Sequence, residues 1–225
     1  MYSIAMRDFT RDEVIAKAAA GESLGLAILT GIDLHFVSLS KVNLHAAEMS
    51  GADLYGANLS GADLTKALLM QAHLRGANLK GANLNGATVA ETDLRKADLR
   101  YAKLSKANLR WADLRRADLI EADLSGADLT GAYLTRANAQ YADLSGANLR
   151  GANLRHAALV RADLRHADLR DANLRDANLY DAALHGANLR HAVLVRADLY
   201  DARYDKDTIF PKGFDPKAAG MVLVE

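Results

Sequence analysis

The sequence predicts an all-β solenoid, a four-sided parallel β-helix, on three observations. Leucine recurs at every fifth position in one frame, from about Leu24 to Leu199, and Tyr204 closes the series. A small residue, usually alanine, lies two positions before most of these leucines, with Asp or Asn between them. A period of five fits neither an α-helix, where the leucines would spiral around every face, nor a flat strand, where alternate leucines would turn outward. A corner in each repeat removes this conflict.

Each repeat is therefore predicted to be a very short strand followed by a turn. Four repeats make a coil of about twenty residues, and successive coils stack at ~4.8 Å, which gives about nine coils and a rod ~43 Å long. Leucine fills the axis, and alanine lies near the corner, where the backbone leaves little room. The intervening Asp or Asn and the two residues after leucine are expected to point to solvent.

Glycine often occupies the second position after leucine. A type II turn needs a positive φ at its third residue, which glycine adopts without steric cost. The glycines that suggest this turn are Gly56, Gly61, Gly76, Gly81, Gly86, Gly126, Gly131, Gly146 and Gly151. Where Arg, Lys, His or Asp takes this position, we expect a different turn type.

The frame, shown plainly by residues 52–64, resembles the pentapeptide repeat family, whose consensus is A(D/N)LXX. The resemblance covers about four-fifths of the chain, and residues 208–216 are similar to the C-terminal tail of many bacterial members. The resemblance implies a right-handed quadrilateral β-helix and no single activity. Some members resemble a DNA duplex in shape and negative charge, and protect DNA gyrase from quinolones and toxins. That activity is the alternative function for this chain.

The composition narrows the classes of function. The 225 residues carry a formal net charge of zero, so no global charge favours nucleic acid or membrane. There is no cysteine, which excludes disulfides and thiol chemistry. The N-terminus shows no secretory pattern, and no apolar run reaches ~18 residues. We expect a cytoplasmic protein with an N-terminal cap at 1–23, a repeat region at 24–205 and a C-terminal tail at 206–225.

Both ends of the repeat region are expected to be covered, because an open solenoid end exposes its core and unpaired strand edges. Thr10 and Glu13 form a capping-box pattern before a predicted helix at 11–20, and Gly21 is its expected stop. The helix is expected to place Val14, Ile15 and Ala18 over the first coil. The apolar residues of the tail either fold over the last coil or form a homodimer contact: Phe210, Phe214, Met221, Val222 and Leu223.

Residues twenty apart are expected to stack, so exposed positions sort into rows. One row forms the candidate partner-binding surface, here called the tyrosine face: Tyr101, Ile120, Tyr141, Val160, Tyr180 and Tyr200. Aromatic and apolar side chains along a rigid surface suggest a protein contact, and scattered residues with good strand propensity are the alternative. Trp111 is expected at a different corner, half exposed beside Gly131.

Two rows of arginine suggest polyanion binding at first sight. One holds Arg75, Arg95, Arg115, Arg155 and Arg175, interrupted by Thr135, and the other holds Arg110, Arg150, Arg170 and Arg190. Because Asp93, Asp113 and Asp168 flank the same strands, we expect every arginine to have a nearby carboxylate. On that basis we do not expect nucleic-acid binding.

The sequence shows no catalytic, cofactor-binding or metal-binding constellation. The seven histidines do not stack in one position on adjacent coils, and no nucleophile elbow or phosphate loop is present. The predicted function is a non-enzymatic interaction or scaffold solenoid for a protein partner of unknown identity. One flaw is predicted in its interior, where Ala139 replaces a leucine and leaves a small void or a local shift of the coil.

Overall fold

Parallel β-bridges join residues that lie twenty apart, beginning with Ile28 and Glu48 and continuing to Ala183 and Arg203. They are seen in a computed structural model that describes residues 9–224. Each bridge lies at the polar position of a repeat, so four repeats complete one coil and the coils stack in parallel. The predicted twenty-residue, four-sided coil is therefore confirmed within the described residues.

Most sides of the coil are too short to count as regular strands. In residues 9–224 the two regular strands are β1, Arg203–Tyr204, and β2, Val222–Leu223, which pair in parallel. Elsewhere each side contributes a single bridged residue flanked by its inward alanine and leucine. These inward residues form one continuous buried core, which runs from the N-terminal helix to the C-terminal tail.

Every backbone N–H of a typical repeat has a hydrogen-bond acceptor. Asn58 N–H donates to the preceding coil, while Leu59 and Gly61 donate to the following coil. Ala57 N–H closes the turn by donating to the leucine carbonyl three residues earlier. The remaining donor, Ser60 N–H, is accepted by Asn58 Oδ1 at 3.1 Å. The repeat therefore uses Asp or Asn to satisfy a donor that the ladder cannot reach.

The same side-chain contact explains why these polar residues are only half exposed. Asp53 Oδ1 accepts the Tyr55 N–H at 3.0 Å, and Asp143 Oδ1 accepts the Ser145 N–H at 2.9 Å. The side chains bend along the backbone instead of extending into solvent as expected. The Asp and Asn side chains therefore stabilise the turns.

All corners share one backbone conformation, so the expected second turn type is wrong. Every second corner residue from Leu26 to Asp201 has a φ between 51° and 68°, whether or not it is glycine. Left-handed backbone costs an L residue roughly 1–2 kcal/mol, which explains the glycine preference. Non-glycine residues are held there because their N–H groups bond to the next coil, as Trp111 N–H does to Thr130 O at 3.0 Å.

The N-terminal helix α1 spans Arg11–Ala19, one residue shorter than predicted. The capping box is present: Glu13 N–H donates to Thr10 Oγ1 at 3.3 Å, and Thr10 N–H donates to the Glu13 carboxylate at 2.9 Å. Gly21, at φ 70°, follows the last turn and ends the helix in a Schellman arrangement. The first eight residues of the predicted cap lie outside the described residues.

The helix is fixed to the first coil by one buried side chain and one arginine. Val14 is fully buried, and Arg11 donates to the carbonyl oxygens of Asp33 at 2.8 Å and His35 at 3.0 Å. Ile15 remains 38% exposed, so of the three apolar residues predicted to lie over the first coil it is the most accessible. No helix in residues 9–224 is long and apolar enough to cross a membrane.

The C-terminal tail continues the solenoid after a one-residue slip. Ile209 bridges Asn188, a separation of twenty-one residues where the repeats have twenty. The Thr208 hydroxyl donates to the Leu184 carbonyl at 3.0 Å, and Asp205 Oδ1 accepts the Gly186 N–H at 2.9 Å. These hydrogen bonds satisfy backbone polar groups of the last full coil that would otherwise lack a partner.

Aromatic residues of the tail then cover the core. Phe210 packs edge-on against Tyr204 with ring centroids 5.4 Å apart, and stacks on Phe214 at 5.3 Å. Met221 is buried, while Val222 and Leu223 of β2 stay exposed. Phe210, Phe214 and Met221 of the tail therefore pack against the core at the last coil.

Candidate partner-binding surfaces

The corners of the coil carry its most prominent side chains. Each corner consists of the two residues after leucine, and corners twenty residues apart lie above one another because the ladder has a twenty-residue register. The solenoid therefore displays four rows of side chains at a spacing of ~4.8 Å. A binding surface on this molecule is one of these rows or a side between two rows.

The structure places all six residues of the tyrosine face along one corner row. Their exposure is uneven: Tyr101, Tyr141 and Tyr200 are about half exposed, Tyr180 is 36% exposed, and Ile120 and Val160 are half-buried. Tyr101 and Tyr141 both have a φ of 60°, so the left-handed corner directs them outward from the rod. The aromatic positions form an interrupted row: about two coils separate Tyr101 from Tyr141 and Tyr141 from Tyr180, whereas Tyr180 and Tyr200 lie on adjacent coils.

Basic side chains hold two of the tyrosine rings. Lys80 Nζ lies 5.6 Å from the centroid of the Tyr101 ring, and the Arg161 guanidinium lies 5.9 Å from that of Tyr141. Tyr180 and Tyr200 stack on each other, with centroids 6.3 Å apart and ring planes 10° apart. Cation–π and stacking contacts of this kind restrict ring orientation before any partner arrives.

Charged groups interleave with the aromatic ones. Glu121 lies between Tyr101 and Tyr141 in the row, and the negative charge of Asp201 raises the pKa of the Tyr180 hydroxyl. The tyrosine face is consequently amphipathic and not a continuous apolar stripe. Protein interfaces commonly combine aromatic anchors with a polar surround of this type.

The C-terminal end of the tyrosine face touches the tail. The Tyr200 ring lies so close to Gly220 that a Cβ there would come within 2.7 Å of it. Substitutions at Tyr200 therefore affect the cap as well as the surface, whereas Tyr101 and Tyr141 are free of the tail.

The two arginine rows are only partly neutralised, which corrects the expectation that every arginine has a carboxylate. Ion pairs join Arg95 to Asp93 at 2.6 Å and Arg170 to Asp168 at 2.5 Å. The pKa values of these aspartates are lowered by the arginine hydrogen bonds. Within residues 9–224, no carboxylate lies within 4.0 Å of these members of the rows: Arg75, Arg155, Arg175 and Arg190.

A groove of about 580 Å³ lies along the first arginine row, where Thr135 interrupts it. Its charged lining, here called the basic groove, contains no carboxylate and consists of Arg75, Arg95, Lys96, Arg115, Arg116, Arg136 and Arg155. Three of these residues, Lys96, Arg116 and Arg136, were not among the predicted arginine rows. They occupy the second corner position, twenty residues apart, so sorting that position as well as the first would have found them.

One small cluster has metal-ligand chemistry. Asp33, His35 and Asp53 place one ligand atom each within 4.8 Å of one another. A ring nitrogen of His35 is hydrogen-bonded to Asp33, and the guanidinium of Arg11 donates to Asp33 Oδ1 at 3.1 Å. Arg11 already supplies positive charge at this carboxylate, so we interpret the cluster as part of the contact between α1 and the first coil.

The sequence model of the family described as pentapeptide repeats matches the chain in eight copies, with matched segments from residue 27 to residue 203. The chain belongs to the pentapeptide repeat family. Members of this family fold as right-handed quadrilateral β-helices, which agrees with the bridge register of the pentapeptide repeats described above. Comparison with curated protein sequences gives no match.

Several solved pentapeptide repeat structures are similar to this chain. HetL, involved in heterocyst differentiation regulation in the cyanobacterium Nostoc sp. strain PCC 7120, is 34% identical, with 92% of this chain and 99% of HetL covered and a TM-score of 0.47. The protein alr5209, also from Nostoc, is 41% identical, with coverages of 52% and 84% and a TM-score of 0.20. A trypsin-treated form of QnrB1, a plasmid-mediated fluoroquinolone resistance protein, is 18% identical, with coverages of 88% and 90% and a TM-score of 0.39.

Proposed function

We propose that this pentapeptide repeat protein is a non-enzymatic interaction scaffold that presents the tyrosine face to a protein partner. The observation that supports the proposal is the row of exposed tyrosines on a fully hydrogen-bonded corner. Tyr101 N–H donates to Ile120 O, and Tyr141 N–H donates to Val160 O, both at 3.0 Å. These bonds link each exposed ring to a half-buried apolar residue of the next coil.

Rigidity gives this surface its value as a binding site. Ordering side chains and loops opposes association, and a surface that is already ordered avoids part of that cost. Tyrosine anchors commonly dominate protein interfaces, at about 2 kcal/mol or more for a true hot spot. The cation–π contacts at Tyr101 and Tyr141 fix the two rings furthest from the tail.

Charge placed on this row tests the proposal. Two variants, Tyr101→Glu with Tyr141→Glu and Tyr180→Glu with Tyr200→Glu, are compared with wild type by quantitative affinity capture from the native cell. The matched control is Thr130→Glu with Ser145→Glu, which adds the same charge to other corners. Circular dichroism and thermal unfolding establish that each variant is folded.

We expect both tyrosine variants to lose the protein that wild type enriches, while the control retains it. Tyr200 contacts the tail at Gly220, so a loss in the second variant alone could come from a disturbed cap. The first variant leaves Tyr200 unchanged and controls for that effect. Undiminished capture by Tyr101→Glu with Tyr141→Glu would remove the tyrosine face as the binding surface.

We propose a monomer, because the tail already covers the core at the C-terminal end. The predicted alternative is a homodimer through that end, where Val222 and Leu223 are exposed by 44% and 54%. Light scattering decides between the two, and a dimer that Leu223→Glu dissociates would establish the end contact. We also propose the cytoplasmic location that is expected from the sequence.

A further inference from the structure

We infer that the basic groove is a second binding surface, which takes an extended acidic segment of a protein. The inference goes beyond the proposed scaffold and does not depend on the tyrosine face. In the region that the structure describes, the fold leaves several positive side chains without a nearby carboxylate. Among residues 9–224, Arg75, Lys96, Arg116, Arg136 and Arg155 have no carboxylate within 4.0 Å.

The local concentration of positive side chains, and not the overall composition of the chain, makes this surface electropositive. The whole chain has a formal net charge of zero, yet seven side chains with permanent positive charge line one groove. Only two of them, Arg95 and Arg115, have an aspartate partner within 4.0 Å in the described part of the chain. Like charges this close repel one another, and a bound anion relieves that repulsion. Charges along a cleft also focus the potential and attract oppositely charged ligands.

The residue types favour planar oxyanions in a defined geometry. Six of the seven charged lining residues are arginine, and Lys96 is the exception. The planar guanidinium binds carboxylate or phosphate through two parallel N–H donors, whereas lysine acts as a point charge. The break in the row at Thr135 leaves room between Arg115 and Arg155 for an oxygen ligand to enter.

The dimensions fit one extended chain. Arg75 and Arg155 are eighty residues apart in sequence, four coils, which corresponds to ~19 Å along the rod. An extended peptide advances about 3.3 Å per residue, so about six residues span the groove. Alternate side chains of such a segment face the groove at roughly 6.6 Å intervals.

Carboxylates on both flanks disfavour a wider polyanion. Asp93 and Asp113 lie on the side before the corner, and Asp98 and Asp118 lie on the side after it. A nucleic-acid duplex is wider than the corner and would bring further phosphates over these flanks. A narrow acidic peptide meets the arginines without covering the aspartates.

The test uses the full-length protein and two probes of similar charge and length. One is a fluorescein-labelled octaglutamate peptide, and the other is a labelled eight-nucleotide oligothymidylate. Fluorescence anisotropy is measured for wild type and for Arg116→Glu with Arg136→Glu. The matched control, Arg150→Glu with Arg190→Glu, makes the same change of net charge on another corner.

We expect the groove variant to weaken octaglutamate binding by at least ~10-fold and the control variant by much less, with both affinities falling as salt increases. Three results would overturn the inference: no saturable peptide binding by wild type, equal losses in the two variants, or tighter binding of the oligothymidylate than of the peptide. None of them bears on capture of a partner by the tyrosine face, so the two proposals fail separately.

Discussion

The indole of Trp111 lies over Gly131, the equivalent corner residue of the next coil, so closely that a Cβ at Gly131 would overlap its six-membered ring. Phe36 covers Gly56 and His166 covers Gly186 in the same way. These three flat side chains lean along the rod over a glycine of the next coil, whereas Tyr101 and Tyr141 have Glu121 and Arg161 at the equivalent position. Trp111 is 51% exposed and lies beside Gly131, as its position in the repeat predicts.

Gly131→Ala should destabilise the protein more than Gly151→Ala. Both glycines have nearly the same φ, 67° and 66°, but no atom lies within 4 Å of a Cβ at Gly151. The change at Gly151 should cost about 1 kcal/mol from left-handed strain alone. At Gly131 the indole must also move. Urea unfolding measures both, and the excess at Gly131 should vanish in a Trp111→Ala background; its persistence there would refute the contact.

Refilling the core at Ala139 should raise stability. Ala139 is 2% exposed and lies between the buried Leu119 and Leu159 of its column. The bridge between Asn138 and Ala158 keeps the normal register, so the coil has not slipped there. Because a buried Leu-to-Ala change costs about 2–5 kcal/mol, Ala139→Leu should recover part of this range. A lower unfolding midpoint would mean that the site has closed up and leucine overpacks it.

The inward and outward positions should differ sharply in tolerance. Ala127 is fully buried, so Ala127→Phe forces volume into a close-packed site, at about 1–3 kcal/mol or more. Thr130→Phe places the same ring at an outward-facing corner, so its effect should be small. The change loses only a hydroxyl hydrogen bond to Asp128. Thermal unfolding compares the two, and equal losses would contradict the inward assignment.

Acid should weaken the fold through the aspartates that arginine holds. Hydrogen bonds from Arg95 and Arg170 lower the pKa values of Asp93 and Asp168. A lowered folded-state pKa stabilises the fold above the ordinary aspartate pKa of about 3.9, and that contribution disappears as pH falls through the folded-state value. Stability should therefore be flat near neutral pH and decline below about pH 4.

Asp93→Asn with Asp168→Asn should flatten that decline. Asparagine keeps the acceptor for the turn N–H, as Asn108 does for Arg110 at 3.2 Å, so the fold should persist at pH 7. Urea midpoints measured across pH for the variant and wild type test this. An unchanged acid slope would show that other groups control it.

The chain should have no effect on DNA gyrase. A DNA mimic works through a negative surface, and this chain has zero net charge and a groove lined by seven positive side chains. Supercoiling assays with and without a quinolone test the expectation, and protection of gyrase by wild type would favour the alternative function.

The sequence by itself determined the coil. Leucine and alanine at fixed positions bury one face, and a period of five allows this only with a corner in each repeat, so even the stacking partners twenty residues away follow from counting. The capping box of α1 and the half-exposure of Trp111 were predictable for the same reason, since each depends on neighbours at a known spacing.

Only the tertiary structure decided the backbone conformation of the corners and the pairing of the charged side chains. The left-handed corners at residues such as Tyr101 and Asp201 contradict local preference, and the cross-coil hydrogen bonds that hold them are absent from a single repeat. Which arginines find a carboxylate depends on side-chain directions that sequence position does not specify. Asp93 therefore pairs with Arg95, while Arg116 and Arg136 are left to form the basic groove.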